Sequence, residues 1–341
     1  MMSLLNPVVG LLALTICVPA AFAQKEDGDL TVPRELRVLK APKQGGRINQ
    51  IHFSPDGKTL ATTGWNFGTV LLWECPTGKH IGTLQGNKEL MQSVQFCDGG
   101  KTIISGGASG DLRFWDMQSQ KQVFLLDSPK GAELYLECMA LTKDEKTLAI
   151  GWINDNGIKL FNTSRAAKLS STVLKGHTGP VTSLVFDKKG KALFSAGDDK
   201  TIRTWSLETK QETAVLRGHT DIIYVLALSP DEDYLASAAA DSTVRIWDLK
   251  KLKTITQITL GDEPIPAIAY TPDGRTLISG YTDGTISGWV PKTGEHIWKI
   301  TAHKGEVVNS IAVSPDGKFM ASGGDRGIVK LWKMPGASGK K

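Results

Sequence analysis

The chain has 341 residues, 40% of them hydrophobic, which is enough apolar material for a sizeable core. Its 40 Lys+Arg against 35 Asp+Glu leave a net charge of +5, without the clustered basic stripe of a nucleic-acid binder. The nearest basic group, Lys250, Lys251 and Lys253, falls between two strand-like segments and reads as a solvated loop.

The first 23 residues carry no charged side chain. Pro7 to Ala23 is a nearly unbroken small and apolar run ending Ala21-Phe22-Ala23, ahead of Gln24 and Lys25-Glu26-Asp27. That pattern predicts a secretory signal peptide cut after Ala23, although the usual basic charge near its start is missing. The run is shorter than the ~20 residues that span a bilayer, so no stable membrane span is expected after cleavage. An uncleaved anchor is the alternative. A lipoprotein fits less well, because bulky Ile16 precedes Cys17 where a small residue is wanted. Residues 24–33 read as a flexible linker, 34–334 as the folded domain and 335–341 as a disordered tail. The mature chain keeps Cys75, Cys97 and Cys138, an odd and sparse set that is no disulfide framework. Cys138 reads as a buried small hydrophobe, and a Cys75–Cys97 pair is the one disulfide open to it.

A repeat runs through the rest. Trp73, Trp115, Phe161, Trp205, Trp247, Trp289 and Trp332 are spaced by 42, 46, 44, 42, 42 and 43 residues, and each ends a short alternating run such as Val244-Arg245-Ile246-Trp247. Upstream in phase stand Ser54-Pro55-Asp56-Gly57, Ser229-Pro230-Asp231-Glu232, Thr271-Pro272-Asp273-Gly274 and Ser314-Pro315-Asp316-Gly317. Pro presets φ and Asp bonds its own backbone, so these segments turn the chain. Weaker versions begin at Cys97, Thr142 and Asp187. Each unit holds about four short strands, which predicts an all-β fold: a seven-bladed β-propeller of four-stranded antiparallel blades.

The repeat resembles the Trp-Asp (WD) repeat family. Gly176-His177, Ser195, Asp199 and Trp205, and Gly218-His219, Ser237, Asp241 and Trp247-Asp248, stand where that family's blade pattern places them. The resemblance spans about residues 34 to 334, and the leader makes the chain look like an exported, bacterial-type member. Some units depart from the pattern: four lack the histidine, with Pro42, Asn87, Lys130 and Asp262 near its place. The third has Ile150 for the Ser and Phe161 for the Trp, and the seventh has Arg326 at the Asp position.

Only nine residues follow Trp332, so the last blade lacks an outer strand of its own. Val38-Leu39-Lys40-Ala41 matches Val173-Leu174-Lys175-Gly176, the fourth strand of the third unit. Glu35 to Lys40 is therefore expected to complete blade seven and cover its edge.

His219, Ser237 and Asp241 invite a hydrolase reading, but the set recurs as His177, Ser195 and Asp199, whereas a nucleophile is singular. No G-x-S-x-G elbow or phosphate-binding fingerprint accompanies it. The resemblance implies that His, Ser, Asp and Trp are structural. No enzyme activity, cofactor or metal site is expected, with a cation in the channel as the weaker alternative.

By the same resemblance, the turns from second to third strand share one face, the top, with the links between blades. That face is expected to carry an aromatic side (Trp65, Phe67, Trp152, Tyr281) and an acidic one (Asp198, Glu306, Asp325). The competing reading folds Trp65 or Trp152 down into space left where the motif Ser is missing (Thr62, Ile150). Expected channel residues are Arg47, Asn49, Gln92, Ser93, Tyr135, Thr182 and Asn309, with no His or carboxylate among them. The leading reading is a monomeric, non-catalytic scaffold, secreted or periplasmic, that binds a protein or peptide, a basic one by the acidic face. The alternatives are a secreted enzyme or a small-ligand or sugar binder using the channel, and an intracellular scaffold whose leader is no signal peptide.

Overall fold

The computed structural model describes residues 31–40, 46–64, 68–86, 90–126, 135–163, 171–259 and 261–336. The leader, most of the linker, and Trp65 and Phe67 lie outside the described residues. Strand β1 is Arg34–Lys40. Blade one holds β2 (Ile48–Phe53), β3 (Thr59–Gly64), β4 (Thr69–Glu74) and β5 (His80–Gln85). Blade two holds β6 (Met91–Cys97), β7 (Thr102–Gly107), β8 (Leu112–Asp116) and β9 (Lys121–Leu126). Blade three holds β10 (Leu136–Leu141), β11 (Thr147–Trp152), β12 (Asp155–Asn162) and β13 (Ser171–Leu174). Blade four holds β14 (Val181–Phe186), β15 (Ala192–Gly197), β16 (Thr201–Ser206) and β17 (Glu212–Arg217). Blade five holds β18 (Ile223–Leu228), β19 (Tyr234–Ala239), β20 (Thr243–Asp248) and β21 (Lys253–Thr259). Blade six holds β22 (Ala267–Tyr270), β23 (Leu277–Gly280), β24 (Thr285–Val290) and β25 (Glu295–Thr301). Blade seven holds β26 (Ser310–Val313), β27 (Phe319–Gly323) and β28 (Ile328–Lys333).

Seven four-stranded sheets result, each a meander, and the seventh has the order β1-β28-β27-β26. The expected clasp is therefore present. β1 runs antiparallel to β28, with Leu39 opposite Val329, Val38 opposite Lys330 and Lys40 opposite Ile328. Lys330 Nζ adds an ion pair to Glu35 Oε2 at 2.7 Å. In a meander the second-to-third turns share the top with the links between blades. The first-to-second and third-to-fourth turns lie on the opposite face, the bottom.

The core sits between blades rather than within them. Leu216 of blade four packs with Ile223, Leu226 and Trp247 of blade five, and the same layer repeats round the ring. The Pro-Asp turns serve this packing. Each caps itself, as where Ser54 Oγ donates to Asp56 Oδ1 at 2.6 Å and accepts from the Thr59 N–H at 2.9 Å. Their glycines, at positive φ, seat against the preceding blade: a Cβ on Gly57 would meet Pro315, one on Gly274 Pro230, and one on Gly317 Pro272, all near 3.5 Å. One turn thus shapes its own hairpin and also fixes the spacing to its neighbour.

Cys75, Cys97 and Cys138 are free thiols. Cys138 is buried as expected, and its Sγ lies 3.3 Å from the Val181 carbonyl of the next blade. Among the described residues, no helix is long and apolar enough to cross a membrane.

Candidate functional site

The axial channel is built by one repeated irregularity. The inner strands of blades one to five each carry a bulge, at Asn49, Gln92, Glu137, Thr182 and Tyr224. A bulge re-aims its residue, and here all five line the channel. Pro266 and Asn309, just before β22 and β26, complete the ring of seven. The cavity measures about 670 Å3.

Three adjacent members of the ring form one hydrogen-bonded run. Asn49 Nδ2 donates to Gln92 Oε1 at 2.9 Å, and Gln92 Nε2 donates to Glu137 Oε2 at 3.2 Å. Next to Asn49 on its other side, Asn309 Nδ2 donates to Asp325 Oδ1 at 2.7 Å, while its Oδ1 is enclosed without a partner among the described residues. Burial raises the Glu137 carboxyl above its ordinary value; Gln92 and the Arg47 charge oppose that, and Asp198 adds to it. Asp198 is itself raised by burial and by the charge of Asp199.

Arg47, Asn49, Gln92, Ser93, Thr182 and Asn309 line the channel as expected, but Tyr135 does not. The expectation of a channel without carboxylates is corrected: Glu137 stands in the ring, and Asp325 lines the wall. His52 lines it as well. Glu137 and Tyr224 were hidden in apolar runs. Counting five residues back from each turn's first residue (Ser54, Thr142, Ser229) finds them at once.

The two complete His–Ser–Asp–Trp sets form closed networks. His177 Nε2 lies 2.7 Å from Ser195 Oγ and its Nδ1 2.9 Å from Asp199 Oδ2, while Trp205 Nε1 donates to the same hydroxyl at 2.8 Å. His219, Ser237, Asp241 and Trp247 repeat these distances. All are buried or nearly so, and each Ser hydroxyl is already committed to two neighbours.

Two of the expected rim aromatics belong to this layer. Trp152 is 3% exposed and packs on Ile104, Leu136, Ile150 and Phe161, and Tyr281 is 1% exposed. Both stand two residues after the motif Ser position, where other blades carry Gly64, Gly107, Gly197, Ala239 and Gly324. Blades three and six lack the histidine, and these rings fill its room. Tyr281 supplies its hydrogen bond too: Ser279 Oγ lies 2.7 Å from the Tyr281 hydroxyl and accepts from Trp289 Nε1 at 2.8 Å. In blade three, Ile150 and Phe161 replace both polar partners together, which leaves no stranded hydroxyl.

On the acidic side, Glu306 is nearly enclosed and pairs with Arg326 at 3.3 Å, so it is not free for a partner. Asp325 is held by Asn309, and Asp198 is half-buried. The acidic mouth therefore contracts to Glu137 and Asp325 of the lining, with Asp198 near enough for its charge to act on Glu137, and among the described residues Tyr224 is its aromatic.

Burial lowers the imidazoles of His52 and His303 to about 4. Folding favours their neutral forms, so their contribution is complete above the unfolded value of 6.5 and is lost as pH falls from there toward 4. The melting temperature is expected to fall over that window, by the equivalent of about 2–3 kcal/mol per histidine. Replacing His52 by Gln, which blade two carries there as Gln95, should shrink the fall; an identical pH profile would refute the assignment.

Fold and repeat geometry together define a WD-type propeller. Residues 135–337 match the family model described as IFT122 first beta-propeller, and residues 33–74 and 78–116 match WD domain, G-beta repeat. The chain belongs to the WD-repeat β-propeller family. It is 27% identical over 197 residues to "Periodic tryptophan protein 2 homolog" of Dictyostelium discoideum, covering 56% of this chain and 21% of that protein. It is 31% identical over 204 residues to "Nuclear distribution protein PAC1" of Coccidioides posadasii, covering 51% and 41%. It is 27% identical over 126 residues to "Small ribosomal subunit protein RACK1" of Caenorhabditis elegans, covering 35% and 38%. The matches span less than half of each relative's length.

Proposed function

We propose that this protein is a non-catalytic scaffold, working outside the cytoplasm, that takes a protein or peptide segment with a basic side chain at the top mouth of its axial channel. The observation that carries the reading is that the lining holds Glu137 and Asp325 against the single cation Arg47, with the Asp198 charge acting on Glu137 from beside it. Two of these carboxyls are held above their ordinary value by burial, and an incoming cation would relieve that cost. One relative is by name a component of a small ribosomal subunit, which accords with a place in an assembly. The paired His–Ser–Asp sets support non-catalytic use, because neither Ser hydroxyl is free to attack.

Capture from the exported fraction with the native chain, compared with the double variant Glu137→Gln/Asp198→Asn, tests the reading. The variant should keep its melting temperature and lose the partner; undiminished capture would sink the acidic mouth. A mature N-terminus at Gln24 would support export, and one at Met1 would turn the reading to an intracellular scaffold. A second reading rests on the Asn49–Gln92–Glu137 run, whose alternating donors and acceptors suit the hydroxyls of a sugar. Saturation-transfer NMR with a glucose oligomer would show it.

A further inference from the structure

Seven copies of one blade provide internal controls, and the bottom face departs from the repeat between blades five and six. Between blades five and six, the turns around Asp231, Asp273 and Pro291 enclose a cavity of about 490 Å3. Its origin is legible in the repeat. Two residues after the motif Trp, blades two, four, five and seven carry Met117, Leu207, Leu249 and Met334, each packed into an inter-blade cluster. Blade six has the shorter Pro291 there, and the space stays open.

Two tyrosines line that space. Tyr270 holds the place of Phe53, Phe96 and Phe186, so its ring belongs to the repeat and its hydroxyl alone is new. That hydroxyl is enclosed and has no hydrogen-bond partner among the described residues. Burial keeps it protonated, so it is a donor in want of an acceptor. Tyr234 stands where blades one, two, three and six carry Thr59, Thr102, Thr147 and Thr276, and Lys292 Nζ lies 4.6 Å from its ring centroid. Arg275, 87% exposed, stands at the rim. The two acids of the lining are engaged by their own turns: Asp231 Oδ1 accepts from Ser229 and the Asp233 N–H, and Asp273 Oδ1 from Thr271 and the Arg275 N–H. The repeat has the same arrangement at Asp56 and Asp316. Arg275 Nε also lies 4.0 Å from Asp273 Oδ2, which leaves the Tyr270 hydroxyl as the unspent donor and Lys292 as the cation, beside an apolar wall of Val290 and Pro291.

We propose that this pocket binds a carboxylate carried on a compact apolar body, with the carboxylate taking the Tyr270 hydroxyl and the Lys292 charge, and the body lying against Tyr234 and Pro291. The site is on the face opposite the channel mouth and is independent of that reading.

Calorimetric titration of the full chain with 4-phenylbutyrate, 4-phenylbutyramide, inorganic phosphate and the capped dipeptide acetyl-Phe-Glu-amide tests it. The acid should bind, and the amide and phosphate should not. If the dipeptide binds more tightly than the acid, the carboxylate comes from a peptide; if less tightly, from a free acid. Tyr270→Phe, a residue the repeat already accepts at this place, should weaken the acid at least about tenfold while leaving the melting temperature unchanged or higher. Glu137→Gln/Asp198→Asn should leave this binding untouched. The proposal is overturned if the acid does not bind, if amide or phosphate binds as well as the acid, if Tyr270→Phe binds it unchanged, or if that variant melts lower, since the hydroxyl would then have a partner in the fold.

Discussion

Removing residues 24–40 is expected to lower the melting temperature by roughly 10 °C or more. β1 gives blade seven its outer strand, and without it β28 presents an open row of backbone donors and acceptors. The strand also reaches past its own blade. Leu39, 3% exposed, packs with Ile48, Leu71, Trp73 and Cys75 of blade one, under the turn at Gly78, where a Cβ would meet it at 2.5 Å. β1 therefore joins the last blade by hydrogen bonds and the first by packing, and the chain runs on from it into β2 of blade one. A net loss of about 4 kcal/mol corresponds to the stated shift at ~2–4 °C per kcal/mol. Leu39→Ala separates packing from pairing, and should cost about 2–5 kcal/mol alone. An unchanged melting temperature in the deletion would mean that the ring closes without its clasp.

The architecture was legible because its determinants are local and repeated. A turn such as Ser314-Pro315-Asp316-Gly317 bonds to itself, and the Trp332 indole finds Ser322 within one hairpin. The clasp was legible by subtraction, since seven third strands need seven fourth strands. The site was less so. Trp152 and Tyr281 sit in top-face turns by position, yet whether an aromatic there points out or down depends on the missing histidine of the same blade. Reading the column as a whole narrows it: Trp152 and Tyr281 both occur in blades without the histidine, and the three blades with it carry Gly197, Ala239 and Gly324, while blades one and two lack it and carry Gly64 and Gly107. Glu137 escaped because the bulge that aims it into the channel depends on strand pairing, which alternation alone does not reveal.

Ser237→Ala should destabilise the fold by about 2–5 kcal/mol and abolish no hydrolysis. The Ser237 hydroxyl holds both His219 Nε2 and the Trp247 indole, at 2.7 and 2.8 Å, in a layer closed to water. Removing it strands two buried groups at ~1–3 kcal/mol each. The His219 imidazole stays anchored through Nδ1 to Asp241, whose carboxylate also accepts from the Thr220 and Thr243 N–H groups. Burial pushes His219 below its ordinary value against the pull of Asp241, so the neutral ring is favoured on folding. Denaturation below pH 6.5 should therefore narrow the gap between native and Ser237→Ala only if the hydroxyl supports the neutral ring. Blade three supplies the decisive control, because there Ile150 and Phe161 occupy the Ser and Trp places with an aromatic, Trp152, in the histidine's room. Transplanting all of that layer into blade five, as Ser237→Ile, Trp247→Phe, His219→Ala and Ala239→Trp, should cost less than Ser237→Ala alone, since it encloses one indole N–H without a partner, as at Trp152 Nε1 of blade three, where Ser237→Ala strands two buried groups. A chemically necessary Ser would give the opposite order: the quadruple variant would be worse in every assay.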